Sequence, residues 1–349
     1  MDNSKKNFLI EILIPIFAVL LALVFSDILI LIYNESPLKI YQVLIEGTLL
    51  NPYGLGQVIY KTTPLIFAGL SVSFAFRTGL FNVGGEGQLY MGAFAIALAA
   101  GYLPDSLPIF ITIPLCLIAG FLAGGFIGFI PGYLKAKRGS HEVINTIMMN
   151  FIVMALVNYF IVNYFKVPQT LHTKEVIASS KLARLSEFVP MFKGSAANIS
   201  FFIALITCVI VYIILWKTKF GYELRAVGSN PEAAETAGIN VKRYIITSMA
   251  ISGGLAGLLG MNYVLGFKYY FEEGFSAGLG FMGIAVALLG RNHPFGVVLS
   301  AFLFGILSQG GLAINALVPK ELVDILQAIV ILSVVASTSE VRRLIAKGK

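Results

Sequence analysis

Long apolar runs recur along the whole chain, and they restrict its fold more than any other feature. A helix needs about 20 apolar residues to cross a hydrocarbon core of about 30 Å. Ten segments qualify: residues 8–32, 56–76, 85–103, 107–134, 142–163, 198–216, 243–266, 278–290, 294–313 and 321–338. The eighth is short and rich in glycine, and residues 38–50 form a candidate interfacial helix. We therefore predict one all-α domain over residues 1–349, a polytopic membrane bundle of about ten transmembrane helices.

Composition supports a membrane protein over a soluble one. Apolar residues make up 57% of the chain and charged residues 12%, with a mean hydropathy of +0.85. Soluble domains have roughly 45 to 50% apolar and about 25% charged residues. Cys116 and Cys208 both lie inside apolar runs, where a thiol serves as a small packing group. The net charge of +7 comes from basic residues scattered at the ends of these runs, which favours a role in orientation over nucleic-acid binding.

The Lys and Arg residues are divided unequally between the two sets of loops. The richer set includes both termini and residues 217–243, whereas the opposite set includes residues 164–197. Positive charge accumulates on the cytoplasmic side, so we expect both termini and loop 217–243 to be cytoplasmic. Loop 164–197 is then extracytoplasmic, either as a docking surface for a binding protein or as a solvated cover over the pore mouth.

Residues 217–243 contain the signals of a short capped helix. Asn230 can cap through its side chain, Pro231 suits the first helical position, and Gly238 suits the left-handed position after the end. A helix over residues 231–237 is too short to be stable alone in water. Its small side chains are expected to be exposed: Ala233, Ala234 and Ala237. This face fits a groove on a partner, although an ordinary capped loop helix fits the same pattern.

Residues 77–88 interrupt the apolar pattern with glycines and polar side chains. These are Asn82, Gly84, Gly85, Glu86, Gly87 and Gln88. Irregular backbone at membrane depth is tolerated where it is buried in protein or lines a cavity. A carboxylate there needs a partner, and we expect Arg77 to supply it. The segment is either a cytoplasmic gate in a translocation path or a loop-helix junction in which Glu86 favours the helix N-terminus.

Two further patterns concern the interior of the bundle. Asn150 and Asn158 are eight residues apart and share a helix face, so they either line the path or bridge helices. Residues 87–92 (Gly-Gln-Leu-Tyr-Met-Gly) are similar to residues 278–283 (Gly-Leu-Gly-Phe-Met-Gly). Under the topology above the two segments run in opposite directions, which predicts an inverted repeat with a substrate path between its halves.

Two separate stretches carry a resemblance to a known family. The run Gly221-x-x-x-Arg225-Ala-Val-Gly-x-Asn230-Pro231-x-Ala233-Ala234-x-x-x-Gly238-Ile-x-Val241 resembles the cytoplasmic coupling segment of permease subunits in bacterial ABC importers for nucleosides, simple sugars and branched-chain amino acids. The run Phe81-Asn-Val-Gly-Gly-Glu-Gly-Gln88 resembles the glycine-rich signature of the nucleoside and simple-sugar branch.

This resemblance implies a multi-pass permease of the bacterial cytoplasmic membrane that works by alternating access. Its implied partners are an ATPase subunit that binds ATP on another chain, a second permease subunit, similar or identical, and an extracytoplasmic solute-binding lipoprotein. The implied ATPase-coupling residues are Gly221, Arg225, Asn230, Pro231, Ala233, Ala234 and Gly238. The candidate gate and path residues are Asn82, Gly84, Gly85, Glu86, Gln88 and Asn150.

The chain itself lacks the motifs of an enzyme. It has no phosphate loop, and its three histidines lie on different segments without a ligand spacing, so we expect no bound ATP, no metal and no catalysis. Two other functions are alternatives to an ATP-driven permease. An ion-coupled transporter would need buried carboxylates, for which Glu86 is the main candidate. A receptor or assembly scaffold without transport is the other alternative.

We expect nucleosides as the solute, ribose-like sugars second and branched-chain amino acids third. The signature at residues 81–88 and a set of nearby aromatic rings favour a base, which can stack on them. These rings are Phe74, Phe81, Tyr90 and Phe94. The sequence shows no convincing pair of buried charges that would suit a free amino acid.

Overall fold

The computed structural model describes residues 24–319 together with 324–325, 327–329 and 332. The helices are α1 (Val24–Ile32), α2 (Pro37–Thr48), α3 (Pro52–Phe76), α4 (Gly85–Tyr102), α5 (Ile109–Arg138), α6 (Glu142–Phe160), α7 (Leu185–Phe188), α8 (Ser200–Lys217), α9 (Lys219–Ser229), α10 (Pro231–Thr236), α11 (Val241–Gly257), α12 (Gly260–Val264), α13 (Leu279–Leu289) and α14 (Pro294–Ile314). Within the described ranges, β pairing is limited to isolated bridges in the loops.

The predicted all-α membrane bundle is confirmed, but the predicted count of about ten spans is not. Among the described residues, six helices are long and apolar enough to cross a membrane, or seven if α1 and α2, bent by 108°, count as one span. The short helix α13 has 11 residues. Most of the predicted spans 8–32 and 321–338 lies outside the described residues.

The central helix α3 separates the two long loops. Near its N-terminus, Gly56 contacts Ser195, whose Oγ would lie 2.4 Å from an added Cβ. Beyond its C-terminus, Arg77 lies against Gly228 of α9. A helix of 25 residues is about 37 Å long, so loops 164–197 and 217–243 lie at opposite ends of the bundle. This agrees with the prediction that they face opposite sides of the membrane.

A seam of glycines joins α5 to α11. Gly120, Gly124 and Gly128 follow one another at intervals of four residues, so they lie on one face of α5. They face Gly253 and Gly257 on α11, and a Cβ on Gly124 would lie 2.4 Å from the Gly253 carbonyl oxygen. Small residues let two membrane helices approach until their backbones touch, which gives the dispersion contacts that hold such helices together.

The arrangement of α4 and α13, which contain the two similar stretches, agrees with the predicted inverted repeat. The N-termini of α4 and α13 abut, with Gly85 against Gly280. The C-terminal end of α4 lies beside loop 164–197, where the Ala100 carbonyl accepts a hydrogen bond from the Ile177 amide. The C-terminal end of α13 lies beside Arg77, at the opposite end of α3. The two helices therefore run in opposite directions.

The two long helices between these halves are joined symmetrically. The Ser71 hydroxyl on α3 donates to the Ser252 carbonyl, and the Ser252 hydroxyl on α11 donates to the Ser71 carbonyl; each of these hydrogen bonds is 2.7 Å long. Such a reciprocal pair is expected where two related halves meet.

The glycine seam generates a test of stability. We expect Gly124→Ala to lower the melting temperature of the purified protein, because the methyl group would collide with the backbone of α11, an overpacking worth about 1–3 kcal/mol. Gly101→Ala is the matched control, since its Cβ would come no closer than 3.6 Å to a neighbour. Equal melting temperatures for the two variants would contradict close packing at the seam.

Candidate functional site

The predicted gate residues come together in a buried hydrogen-bonded turn before α4. Asn82 and Gln88 exchange two amide hydrogen bonds, of 2.8 and 3.1 Å. Asn82 also accepts from the Gly84 amide at 2.9 Å and donates to the Ser252 hydroxyl of α11 at 2.8 Å. The two amide side chains thus close the turn on itself and attach it to α11.

Asn150 bridges helices. From α6, its Oδ1 accepts from the amide of Gly87 at 2.8 Å and its Nδ2 donates to the carbonyl of Val83 at 3.0 Å. A side chain at position 87 would collide with the Asn150 backbone, since a Cβ would lie 2.9 Å from its Cα. Asn158 donates instead to Glu273 in the loop before α13.

The expected pairing of Arg77 with Glu86 is wrong. The Glu86 side chain is 4% exposed, and its carboxylate accepts from the Ser276 hydroxyl and from the backbone amides of Gly278 at 3.1 Å and Gly280 at 2.8 Å. Arg77 is directed elsewhere, as described below. Glu86 therefore lies in the first turn of α4 and at the start of α13, where the dipoles of both helices favour a negative charge.

A cavity of about 310 Å³ lies on the other side of residues 276–278. Its wall is formed by α3, α12, α14 and the segment that precedes α13. Aromatic rings and polar groups share this wall, among them Tyr60, Tyr263, Phe275, Lys61, Asn262, Ser276, Ser308, Asp324 and Gln327. The volume is at the lower end of the range for small-molecule sites. Asn82, Glu86, Gln88 and Asn150 are not part of the wall. Of these four, Glu86 holds the wall segment directly, through Ser276 and Gly278.

The aromatic rings of the cavity continue into the protein. Tyr263 and Phe275 have ring centroids 4.8 Å apart, and Tyr90 stacks on Phe275 at 5.7 Å. Phe271 packs edge-on to Tyr90 and also contacts Phe94. Tyr90 and Phe94, two of the four aromatic residues noted in the sequence, thus do not line the cavity but pack behind its wall. Tyr90 contacts Phe275 directly, and Phe94 does so through Phe271.

Sequence reasoning missed the rings that line the cavity. Of the other two noted residues, Phe74 is buried in the core and Phe81 packs on Phe76 at 5.1 Å. The available signal was the polar Asn262 inside the apolar run 243–266. Its amide donates to the Tyr60 carbonyl at 3.2 Å and so joins two walls of the cavity.

The predicted caps of the short helix α10 are confirmed. Asn230 Oδ1 accepts from the Ala233 amide at 3.0 Å, Pro231 is the first residue of α10, and Gly238 has a left-handed φ of +83°. The helix ends at Thr236, with Ala237 as its C-cap.

The face predicted to be exposed is only partly so. Ala233 and Ala237 are exposed, but Ala234 is 4% exposed and packs into the protein's own core. The expectation for Ala234 is therefore wrong, because α10 lies flat on the bundle and turns one side inward.

The other two coupling positions attach α9 to α8. A Cβ on Gly221 would lie 2.1 Å from the Ile214 carbonyl oxygen, so the turn between these helices requires glycine. The Arg225 guanidinium lies 5.9 Å from the centroid of Trp216, the penultimate residue of α8.

Arg77 connects α8 and α9 with the rest of the bundle. Its guanidinium donates to the Asn292 carbonyl through Nε at 3.0 Å and Nη2 at 2.8 Å, and lies 4.7 Å over the Trp216 ring. Burial lowers the pKa of Arg77, as does the charge of Arg225, although an arginine stays protonated. Burial also lowers the pKa of His293, whose ring centroid lies 4.9 Å from that of Trp216, and the charge of Arg77 lowers it further.

The comparisons with known proteins point to one family. A sequence model described as "Branched-chain amino acid transport system / permease component" matches residues 54–335. The guanosine ABC transporter permease protein NupP of Bacillus subtilis (strain 168) is 42% identical over 346 residues, covering 97% of each chain. The nucleoside ABC transporter permease protein NupB of Lactococcus lactis subsp. cremoris (strain MG1363) is 36% identical, over 94% of this chain and 91% of that protein.

More distant relatives differ in the solute that they are named for. The glucose ABC transporter permease protein TsgB13 of Haloferax volcanii is 34% identical, over 93% of this chain and 87% of that protein. The Bacillus subtilis strain also has a second guanosine ABC transporter permease protein, NupQ, which is 28% identical over 80% of this chain and 89% of that protein.

The bridging role of Asn150 can be tested by stability. We expect Asn150→Leu to lower the melting temperature, because the Gly87 amide and the Val83 carbonyl would each lose a buried partner at about 1–3 kcal/mol. Asn163→Leu on the adjoining π-helical turn is the control, since Asn163 is exposed and bonds only to the carbonyl of Tyr159. A variant at position 150 as stable as this control would exclude the bridge.

Proposed function

We propose a transport function for this chain, which belongs to the permease family of the branched-chain amino acid transport system. It is the membrane-spanning permease of an ATP-driven importer, and it carries nucleosides across the bacterial cytoplasmic membrane. The solute would pass by alternating access, with the cavity between α3, α12 and α14 as its site. ATP is bound and hydrolysed by a partner subunit. The guanosine and nucleoside permeases described above support this choice of solute.

The observation that carries the proposal is the chemistry of the cavity wall. Tyr263 and Phe275 present aromatic rings, on which a nucleobase can stack for about 1–3 kcal/mol by analogy with nucleic-acid sites. Asp324 and Gln327 bring a carboxylate and an amide to the same cavity, and both accept hydrogen bonds from hydroxyl groups such as those of ribose. The rings suit a base, and the carboxylate and the amide suit a sugar.

A second candidate solute is a free amino acid. Lys61 and Asp324 both line the cavity, which gives it one group of each charge. Asp324 is exposed and Lys61 is half-buried and donates to the Ser308 carbonyl at 2.9 Å, so they are not the pair of buried charges that the sequence analysis found lacking. The aromatic rings of the same cavity favour the nucleoside, because an aliphatic amino acid has no π-face to stack on them.

The partners follow from the surfaces of the chain. The exposed side of α10, with Ala233 and Ala237, would dock into a groove of the ATPase subunit, since a six-residue helix needs a supporting surface. Loop 164–197 at the opposite end would receive the solute-binding protein. A second permease chain of different sequence would complete the channel, as the coexistence of NupP and NupQ in one Bacillus strain suggests.

Replacing a ring of the cavity tests the solute. We expect Phe275→Ala to raise the KM for guanosine uptake about 5-fold to 100-fold, which corresponds to the loss of one stacking contact. Phe281→Ala is the control, because Phe281 lies on the adjoining helix α13 but is 45% exposed on its outer surface. The measurement is uptake of labelled guanosine by vesicles that contain the whole assembly.

Competition in the same vesicles separates the candidate solutes. Unlabelled uridine and guanosine should block uptake, whereas leucine and ribose should not. If leucine or ribose is taken up and competes with itself while neither nucleoside does, the nucleoside assignment is wrong.

Docking of α10 is tested by enlarging its exposed face. We expect Ala233→Arg to leave the protein folded and abundant yet to abolish uptake, because a long charged side chain cannot enter a groove shaped for a methyl group. Ala233→Ser, which stays small, should transport normally. Ala234→Arg should instead reduce abundance, since that site is buried within the chain itself. Normal uptake by Ala233→Arg would exclude docking through this face.

A further inference from the structure

The short helix α13 reaches from the cytoplasmic end of the bundle to the cavity. Its 11 residues make it about 16 Å long, roughly half of a hydrocarbon core of about 30 Å. Its first residue, Leu279, and the residues that precede it, 275–278, line the cavity. The residues that follow it, 290–293, lie beside Arg77 and Trp216 at the end that carries α9 and α10. A movement of this helix along its axis would therefore displace both the cavity wall and the residues that contact Arg77 and Trp216.

The N-terminal end of α13 is held by an anion. Glu86 accepts from the Gly278 and Gly280 amides, which are groups that the first turn of a helix leaves without helical partners. It also accepts from the Ser276 hydroxyl in the cavity wall. Because Glu86 is itself in the first turn of α4, its carboxylate joins two helix starts.

The C-terminal end of α13 is held by a cation. Arg291 and Asn292 both have left-handed backbone conformations, with φ of +55° and +53°, which are uncommon for residues other than glycine. The Asn292 amide closes the helix end by donating to the Ala287 carbonyl at 2.8 Å. The two hydrogen bonds from Arg77 to the Asn292 carbonyl hold this strained turn in place.

The same arginine contacts the cytoplasmic helices. Its guanidinium stacks over Trp216 at the end of α8. Its carbonyl lies against Gly228 of α9, where an added Cβ would be 2.2 Å from the oxygen, so α9 sits flush on the turn after α3. One residue beyond the end of α9, Asn230 caps α10. A displacement of α10 would thus reach Arg77 through packed backbone.

We propose that residues 77–88 and α13 form one rigid body that links α10 to the cavity wall, with Arg77 and Glu86 as positioning residues at its two ends. The proposal rests on the proposed transport function. Binding of ATP to the partner subunit would shift α10 and α9, Arg77 would carry α13 along, and residues 275–279 would move at the solute. Glu86 and Arg77 touch neither solute nor ATP in this scheme.

Transport kinetics of the whole assembly in proteoliposomes test the two ends. We expect Arg77→Gln and Glu86→Gln each to lower the maximal rate of guanosine uptake at least 10-fold while the KM changes less than about 2-fold. The double variant should be no slower than the slower single variant, because a body released at one end no longer transmits force. Arg243→Gln is the control, since Arg243 is exposed at the same end of the bundle. A raised KM with an unchanged maximal rate, or defects that multiply in the double variant, would overturn the proposal.

A fluorescent label at the cavity provides a readout that does not depend on which solute is carried. Ala277→Cys, at an exposed position in the cavity wall, would carry a small environment-sensitive fluorophore. In the assembled transporter its emission should change when a non-hydrolysable ATP analogue is added, and this change should be lost with Arg77→Gln.

The label also separates this proposal from the choice of solute. If guanosine is not transported but the label responds as expected, the nucleoside assignment fails and the rigid link stands. If the label does not respond in the protein with an intact Arg77, or responds equally with Arg77→Gln, the rigid link is wrong. Should the Gln variants fail to accumulate, the response of the labelled protein with Arg77 intact decides alone.

Discussion

The carboxylate of Glu86 is the interaction on which the centre of this structure depends. A buried charge in a membrane bundle is costly unless protein groups replace its water. Among the described residues its hydrogen-bond partners are neutral groups of the segment that leads into α13. The aligned peptide dipoles give each helix start about half a positive charge, so two starts together offset about one negative charge. The turn before α4 must therefore bring α4 and α13 together, and the glycines at 85 and 280, which face each other, leave room for this approach.

Close approach of backbones is the second constraint, and it explains where the small residues lie. In lipid, helices gain little from the hydrophobic effect on contact, so dispersion and hydrogen bonds must hold them together. The glycine seam between α5 and α11 provides the dispersion contacts, and the reciprocal pair of Ser71 and Ser252 provides the hydrogen bonds. A core assembled in this way is stiff, because there is no flexible side chain between the backbones to absorb a shift. Stiffness is what a helix such as α13 needs if it is to transmit movement.

The sequence predicted the positions of the helices and the caps of α10 because both follow from local patterns. Apolar runs mark the spans, and Asn230, Pro231 and Gly238 act within a few residues of themselves. The partner of Arg77 could not be predicted in this way. Its acceptor is the carbonyl of Asn292, a group that every residue carries and that is 215 positions away. Ala234 was misjudged for a related reason: a helix of six residues is too short for its pattern of side chains to show which alanine faces the bundle.

The two halves of the internal repeat explain why the cavity lies on one side of the centre. When residues 87–92 are aligned with 278–283, Glu86 corresponds to Ala277. In the first half the longer side chain fills the space between the helix starts and binds across it. In the second half a methyl group occupies the equivalent position, and Ala277 lies in the cavity wall. The space left by this difference is bounded by Phe275 and Tyr263, which α12 and the loop before α13 supply. In the proposed function, the solute site lies where these two similar stretches differ, and Glu86 holds the wall of that site without contacting the solute.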